Sequence, residues 1–267
     1  MTRSDTVVLG VAIAGRGVVR PGEAVFSASD QALLRGAAAF ETIRVYGGRP
    51  FLLDRHVERL EHSALQLGLP RPDGAAELAA LLLDGRDAVL RLFRTSETLV
   101  ATVSELPPRL DELRARGIVL VSMDVGIGSE LLAGVKATSY ALNMAAKAEA
   151  ERRGADDALF LGPGKVVLEA TTANVWWRDG DVLSTPSAGA GVLPGVTRGL
   201  VAELARERGL RVREGRFTLG LLVRSDEAFL TSSIREIVPV AGIDGERLAR
   251  GDVAATLQEA LRVRSGR

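Results

Sequence analysis

The sequence predicts an α+β protein built from two domains, and three observations point there. Clusters of short strands alternate with helices, but without the strict strand–helix–strand rhythm of a doubly wound sheet. The 267 residues are enough for one large domain or two small ones. A Pro107-Pro108 connector, running into the charged stretch Asp111 to Arg116, separates two such regions. The boundary is therefore placed near Gly117, giving domains 1–117 and 118–267.

In the first domain, Val7 to Val19 is rich in Val, Ala and Gly and reads as a short strand and turn. Ala37 to Tyr46 follows as a strand, since Phe40, Ile43 and Val45 are good β formers. Gly47-Gly48 suits a tight hairpin, with Phe51 to Leu53 as the returning strand. From Asp54 to Leu67 the period becomes helical, with Val57, Leu60, Ala64 and Leu67 three or four apart. Asp54 reads as its N-cap and Gly68 as its stop. Ala75 to Leu83 is a second helix, and Ala88 to Phe93 with Leu99 to Ser104 read as paired strands.

In the second domain, Ile118 to Met123 is a strand, Ala141 to Arg153 an Ala-rich helix and Ala158 to Leu161 a strand. Short strands follow at Val166 to Leu168, Val175 to Trp177 and Asp181 to Leu183. Thr197 to Arg208 is a helix closed by Gly209, and Glu227 to Thr231 another strand. Gly162-Pro-Gly-Lys165 lacks the spacing of a phosphate loop and reads as a hairpin turn. Asp156-Asp157 reads as a connector, and Trp176-Trp177 as core packing.

Composition narrows the function. With 46% hydrophobic and 25% charged residues, the balance is that of an ordinary globular protein. Lys+Arg and Asp+Glu are equal at 34 each, so no net field favours nucleic acid or an anionic membrane. Zero Cys excludes disulfides and thiolate metal sites, and two His, His56 and His62, make a His-based metal site a poor expectation. Six apart on a helix, they do not share a face and read as structural. Met1 to Asp5 lacks the apolar core of a signal peptide, and no stretch approaches the roughly 20 apolar residues of a membrane span. A cytoplasmic location is the expectation.

The most informative segment runs from Leu168 to Arg198. Gly195-Val196-Thr197 sits at a helix start, where unpaired amides and the positive end of the dipole welcome an anion. The plainer reading of that piece alone is a helix entry. Glu169 ends an apolar strand; such a carboxylate is usually solvated, unless a cationic partner holds it. Lys136 lies between a Gly-containing loop and the Ala-rich helix. Lone lysines are mostly surface residues, yet lysine is the side chain that forms Schiff bases with aldehydes.

The run from Glu169 to Arg198 resembles the class-IV aminotransferases, the fold-type-IV pyridoxal-phosphate enzymes. Glu169, Asn174, Thr185 and the closing Leu193-Pro-Gly-Val-Thr-Arg198 match that pattern, with Lys136 and Tyr140 upstream. Phe40-Glu-Thr-Ile-Arg44, His56-Val-Glu-Arg-Leu60 and Phe229-Leu-Thr-Ser-Ser233, with Glu236 and Pro239, look like the family too. The resemblance implies a small N-terminal α/β domain and a larger pseudo-barrel domain that binds pyridoxal 5′-phosphate (PLP). It implies that Lys136 holds PLP as a Schiff base and then moves the α-proton. Glu169 would pair with the ring nitrogen. Arg59, the Val196 and Thr197 amides, and the Thr197 and Ser233 hydroxyls would hold the phosphate. Tyr140 would lie near the ring hydroxyl and Leu193 on the ring face, while Phe40 and Arg91 would touch substrate. For Arg91 a surface-paired strand residue is an equal alternative.

Three positions depart from the pattern. Trp176 stands where Phe or Tyr is usual, and Ser139 where many relatives have Asn. Arg91 to Thr98 lacks the Arg-x-His pair of the D-amino-acid enzymes, which counts against that specificity. The resemblance implies amino transfer between an amino acid or amine and a 2-oxo acid. It leaves two alternatives: aminodeoxychorismate lyase, releasing pyruvate and 4-aminobenzoate, and an inactive binding protein on the same fold. It also implies a homodimer.

Overall fold

Residues 7–125 and 132–267 are described by the computed structural model of the chain; Met1 to Asp5, read above for a leader, lie outside them. The chain forms two compact units. The first extends through Pro108 and takes in Val135–Tyr140; the second comprises Arg109–Gly134 and Ala141–Arg267. The units thus part nine residues before Gly117, and a short later stretch returns to the first unit. Local composition carries no sign of such a return, because it depends on pairing between residues 100 apart.

The first unit contains β1 (Val8–Ile13), β2 (Gly17–Val19), α1 (Gln31–Arg35), β3 (Ala39–Tyr46) and β4 (Arg49–Pro50). α2 (Leu53–Gln66), α3 (Ala75–Ala80), β5 (Ala88–Arg94) and β6 (Leu99–Ser104) complete it. Its sheet runs β2-β1-β6-β5-β3-β4, antiparallel throughout. Gly47 and Gly48 make the hairpin turn, both at positive φ. Leu60 and Ala64 of α2 are fully buried and join Ile43, Leu90 and Leu92 in the core. The expected return strand at Phe51 to Leu53 does not form. Pro50 has no N–H to extend a ladder, and the chain turns at Leu52 (φ 55°) into a helix that starts at Leu53. Asp54 therefore sits in the first turn of α2 rather than at its cap. α1 escaped the sequence reading because five residues carry no periodicity; Asp30 caps it by accepting from the Ala32 amide.

The second unit contains α4 (Leu110–Arg116), β7 (Ile118–Asp124), α5 (Ala141–Arg152), β8 (Asp157–Gly162), β9 (Val166–Ala170) and β10 (Asn174–Asp179). β11 (Val182–Pro186), α6 (Val196–Glu207), β12 (Arg211–Gly215) and α7 (Leu219–Val223) follow. β13 (Glu227–Ser232), β14 (Glu236–Ile243), β15 (Glu246–Arg247) and α8 (Val253–Ser265) end the chain. The curled half-barrel sheet runs β12-β11-β10-β13-β14-β7-β8-β9, with β15 on β14. β12 on β11, β7 on β14 and β8 on β7 are parallel pairs, and the others are antiparallel. The mixed pairing is the α+β arrangement that the sequence predicted. Ile118, Leu120, Leu159, Leu230 and Trp177 fill the core, and Phe217 meets Trp177 edge-on at 5.0 Å. Among the described residues no helix is long and apolar enough to cross a membrane.

Candidate active site

Lys136 is fixed by its backbone before its side chain does anything. Its carbonyl accepts from the Phe40 amide at 3.0 Å, and its own amide donates to Ser63 Oγ, buried in α2, at 3.0 Å. Thr138 seals the same stretch by donating to the Ala38 carbonyl at 2.9 Å. The half-buried side chain ends with Nζ 3.1 Å from the Tyr140 hydroxyl and 4.5 Å from the centre of the Phe40 ring. The chain has three lysines, 136, 147 and 165. Lys147 pairs with Glu151 and Lys165 with Asp124. Among the described residues, no carboxylate is ion-paired to Lys136. The Lys136 amine is thus held against the rings of Phe40 and Tyr140.

The same unit holds Arg59, but not as an isolated cation. Glu41 accepts from Arg59 Nε at 2.7 Å and from Nη2 at 2.8 Å, and from His56 Nδ1 at 2.7 Å. Glu41 and His56 are buried and only about a tenth of the Arg59 side chain is exposed. Burial by itself would raise the Glu41 carboxyl, but Arg59 and His56 overcome it and bring it down to about 2. Burial dominates at His56 and lowers its imidazole despite Glu41. His56 is therefore a neutral donor that completes an ion pair. Arg91, on β5, donates to Ser104 Oγ at 3.1 Å. Burial pushes its guanidinium down, and among the described residues it has no carboxylate partner. Phe40 lies edge-on to Tyr140 at 5.2 Å.

In the second unit, Glu169 is the penultimate residue of β9 and Asn174 opens β10. Glu169 Oε2 accepts from Asn174 Nδ2 at 3.0 Å and from the Leu193 amide at 3.2 Å. Asn174 Nδ2 also donates to the Leu193 carbonyl at 2.8 Å. Two residues on, Gly195 is the N-cap of α6, and among the described residues no side chain caps that helix. The amides of Val196 and Thr197 thus sit at the uncapped, positive end of a 12-residue helix. Ser233 lies in the turn between β13 and β14. Arg235 fixes this turn, donating to buried Asp157 at 3.0 Å and to Thr172 Oγ1 at 2.7 Å. Asp157 is therefore part of a buried ion pair, more than the connector expected for it. Trp176 and Trp177 are fully buried, as core packing requires.

Sequence reading missed three contributors. Glu41 shares its strand face with Ala39, Ile43 and Val45, all buried, so the period-2 pattern marked it as an inward carboxylate in need of cations. Ser63 and Asp157 gave no local signal, since their partners lie 73 and 78 residues away.

Comparison with known proteins places this arrangement. Residues 38–243 match the family described as amino-transferase class IV. The chain is 33% identical to an aminodeoxychorismate lyase of Bacillus subtilis, over 83% of this chain and 83% of that protein. It is 31% identical to a bifunctional aminodeoxychorismate lyase / D-amino acid transaminase of Mycobacterium tuberculosis, over 91% and 94%. Among solved structures, the PLP-bound form of a hypothetical aminotransferase from Mycobacterium tuberculosis superposes with a TM-score of 0.88 at 29% identity. That match covers 97% of this chain and all of the other.

Proposed function

Since this chain belongs to the class IV amino-transferase family, we propose that it moves an amino group between an amino acid or amine and a 2-oxo acid, with Lys136 carrying PLP. PLP is the family's cofactor; when bound it supplies an aldehyde for amine capture and an electron-withdrawing ring. The observation that carries the reading is the state of the Lys136 amine, clamped through its backbone and not ion-paired among the described residues. The donor set fits the cofactor's charges. An uncapped helix start suits a phosphate, and a carboxylate with N–H donors on one oxygen suits a ring cation.

The roles then divide by chemistry. Lys136 Nζ would hold the cofactor's aldehyde, and the same amine would move the proton at the substrate's α-carbon. Tyr140, hydrogen-bonded to Nζ, would sit by the ring hydroxyl. Glu169 holds the ring nitrogen's proton. Val196, Thr197, Ser233 and Arg59 would hold the phosphate, with Arg59 oriented by Glu41. Leu193 would cover a ring face, and Phe40 and Arg91 would face the substrate, Arg91 meeting its carboxylate.

The second reading, release of pyruvate and 4-aminobenzoate from aminodeoxychorismate, is favoured by the likeness to the Bacillus subtilis lyase. The third, an inactive binding protein, sits poorly with an intact Lys136 and Glu169. One assay separates the first two: amino transfer from a panel of amino acids to 2-oxo acids, beside pyruvate release from aminodeoxychorismate. Transfer supports the first reading; pyruvate release without transfer overturns it. We also read the chain as a cytoplasmic homodimer. Sedimentation of an active monomer, or membrane-bound activity on fractionation, would contradict that.

A further inference from the structure

The geometry points to Asn174 as a positioning residue: we propose that its one amide sets both the ring-side carboxylate Glu169 and the phosphate-side entrance of α6. The inference rests on the reading of Glu169 and the α6 start given above, and it assigns a role to a residue not counted among those that would hold the cofactor.

Asn174 is 5% exposed, and β10 fixes its backbone opposite Thr231 of β13. Its amide nitrogen has two hydrogens, and both are spoken for. One goes to Glu169 Oε2 at 3.0 Å and the other to the Leu193 carbonyl at 2.8 Å. The Leu193 amide closes the ring by donating to the same Glu169 oxygen at 3.2 Å. Both neighbours of Nδ2 are acceptors, so chemistry forces the amide's orientation. Oδ1 is thereby turned towards Gly195.

That turn has a consequence for residue 195. A Cβ there would collide with Asn174 Oδ1. The backbone at Gly195 is ordinary, with φ −62° and ψ 136°, so any residue could adopt it. Glycine is required by the asparagine, not by the backbone. The residues that follow Gly195 are Val196 and Thr197, whose amides open α6. One side chain therefore fixes the plane of the Glu169 carboxylate, the Leu193 peptide that leads into Gly195, and how closely the α6 entrance approaches β10. Alanine at 174 would leave Glu169 and Leu193 each short of a donor. Aspartate would set a second carboxylate beside the first.

The test uses the two halves of the cofactor as separate probes on the apoprotein: pyridoxal, which has the ring without the phosphate, and inorganic phosphate alone. Asn174→Ala, with its fold checked by circular dichroism, is expected to weaken both by about tenfold, the usual worth of a buried hydrogen bond to a charged group. In a Glu169→Gln background the effect on pyridoxal should largely vanish while the effect on phosphate persists, since only the first acts through Glu169. General loosening of the fold would not depend on Glu169. Gly195→Ala pushes the same amide from the other side and should reproduce the phosphate loss. A folded Asn174→Ala protein that binds both probes like the wild type would overturn the proposal. So would a pyridoxal effect unchanged by Glu169→Gln. If the wild-type apoprotein takes up no PLP at all, the underlying reading of the site fails first, and this one with it.

Discussion

Glu41 and Arg59 meet side-on inside the first unit, Nε to Oε1 at 2.7 Å and Nη2 to Oε2 at 2.8 Å. His56 closes the pair from the other side at 2.7 Å. This forked geometry fixes the guanidinium's plane as well as its position.

Glu41→Gln removes the charge and keeps the shape, leaving Arg59 buried beside a neutral amide. Breaking a buried pair by removing one partner costs about 3–5 kcal/mol. The expected outcome is a destabilisation of that order by urea titration, together with weaker PLP uptake by the apoprotein. Arg59→Lys should also weaken uptake, because an ammonium cannot make the fork. Unchanged stability and uptake in both variants would remove this pair from the account.

The same cluster makes stability depend on pH, and the sign is set by proton counts. The Glu41 carboxyl, at about 2 in the fold against 4.5 when unfolded, binds fewer protons folded than unfolded. His56, lowered from 6.5, does the same. Both contributions are complete above the unfolded values and are lost as pH falls. The His56 part fades below about 6.5, and the Glu41 part between about 4.5 and 2. Between pH 5 and 3 the wild type should lose on the order of 2 kcal/mol that Glu41→Gln does not. Their Tm values should therefore converge on acidification. A constant gap would show that Glu41 is not the titrating group.

Gly195→Ala isolates a contact from a backbone effect. The position tolerates alanine conformationally, so its cost comes from steric contact, chiefly the collision with Asn174 and secondarily the close Arg198 Cβ at 3.2 Å. About 1–3 kcal/mol of lost stability is expected from such overpacking. Alanine at Gly199, one turn into α6 and, among the described residues, with no atom beyond its chain neighbours and the helix's own backbone within 4 Å of its Cβ, is the control and should be neutral or better. Equal effects at the two positions would contradict the contact.

The strands and long helices were legible because their periodicity is local. α2 shows its core face through Leu60 and Ala64, and the Gly47-Gly48 hairpin is written in two residues. The hairpin's end was misread because Phe51 to Leu53 is as apolar as a strand. What turns it is Pro50 and a left-handed Leu52. The C-terminal β14 and α8 were passed over although both bury apolar faces, Ile237 and Val240 in one, Leu257 and Leu261 in the other. The candidate roles of Lys136, Glu169 and the α6 entrance come from the order of their motifs along the chain. Their supports do not. Ser63 under Lys136 and Asp157 under the Ser233 turn act across more than 70 residues, a distance at which one sequence holds no spacing to read.

The central claim is that Lys136 is the amine that carries PLP, and the chain's three lysines make it directly measurable. The purified protein is loaded with PLP, reduced with borohydride, digested, and the modified peptide identified by mass. The account predicts one adduct, on Lys136, and none in Lys136→Ala. An adduct on Lys147 or Lys165 in place of Lys136, or no adduct on the wild type, would contradict it.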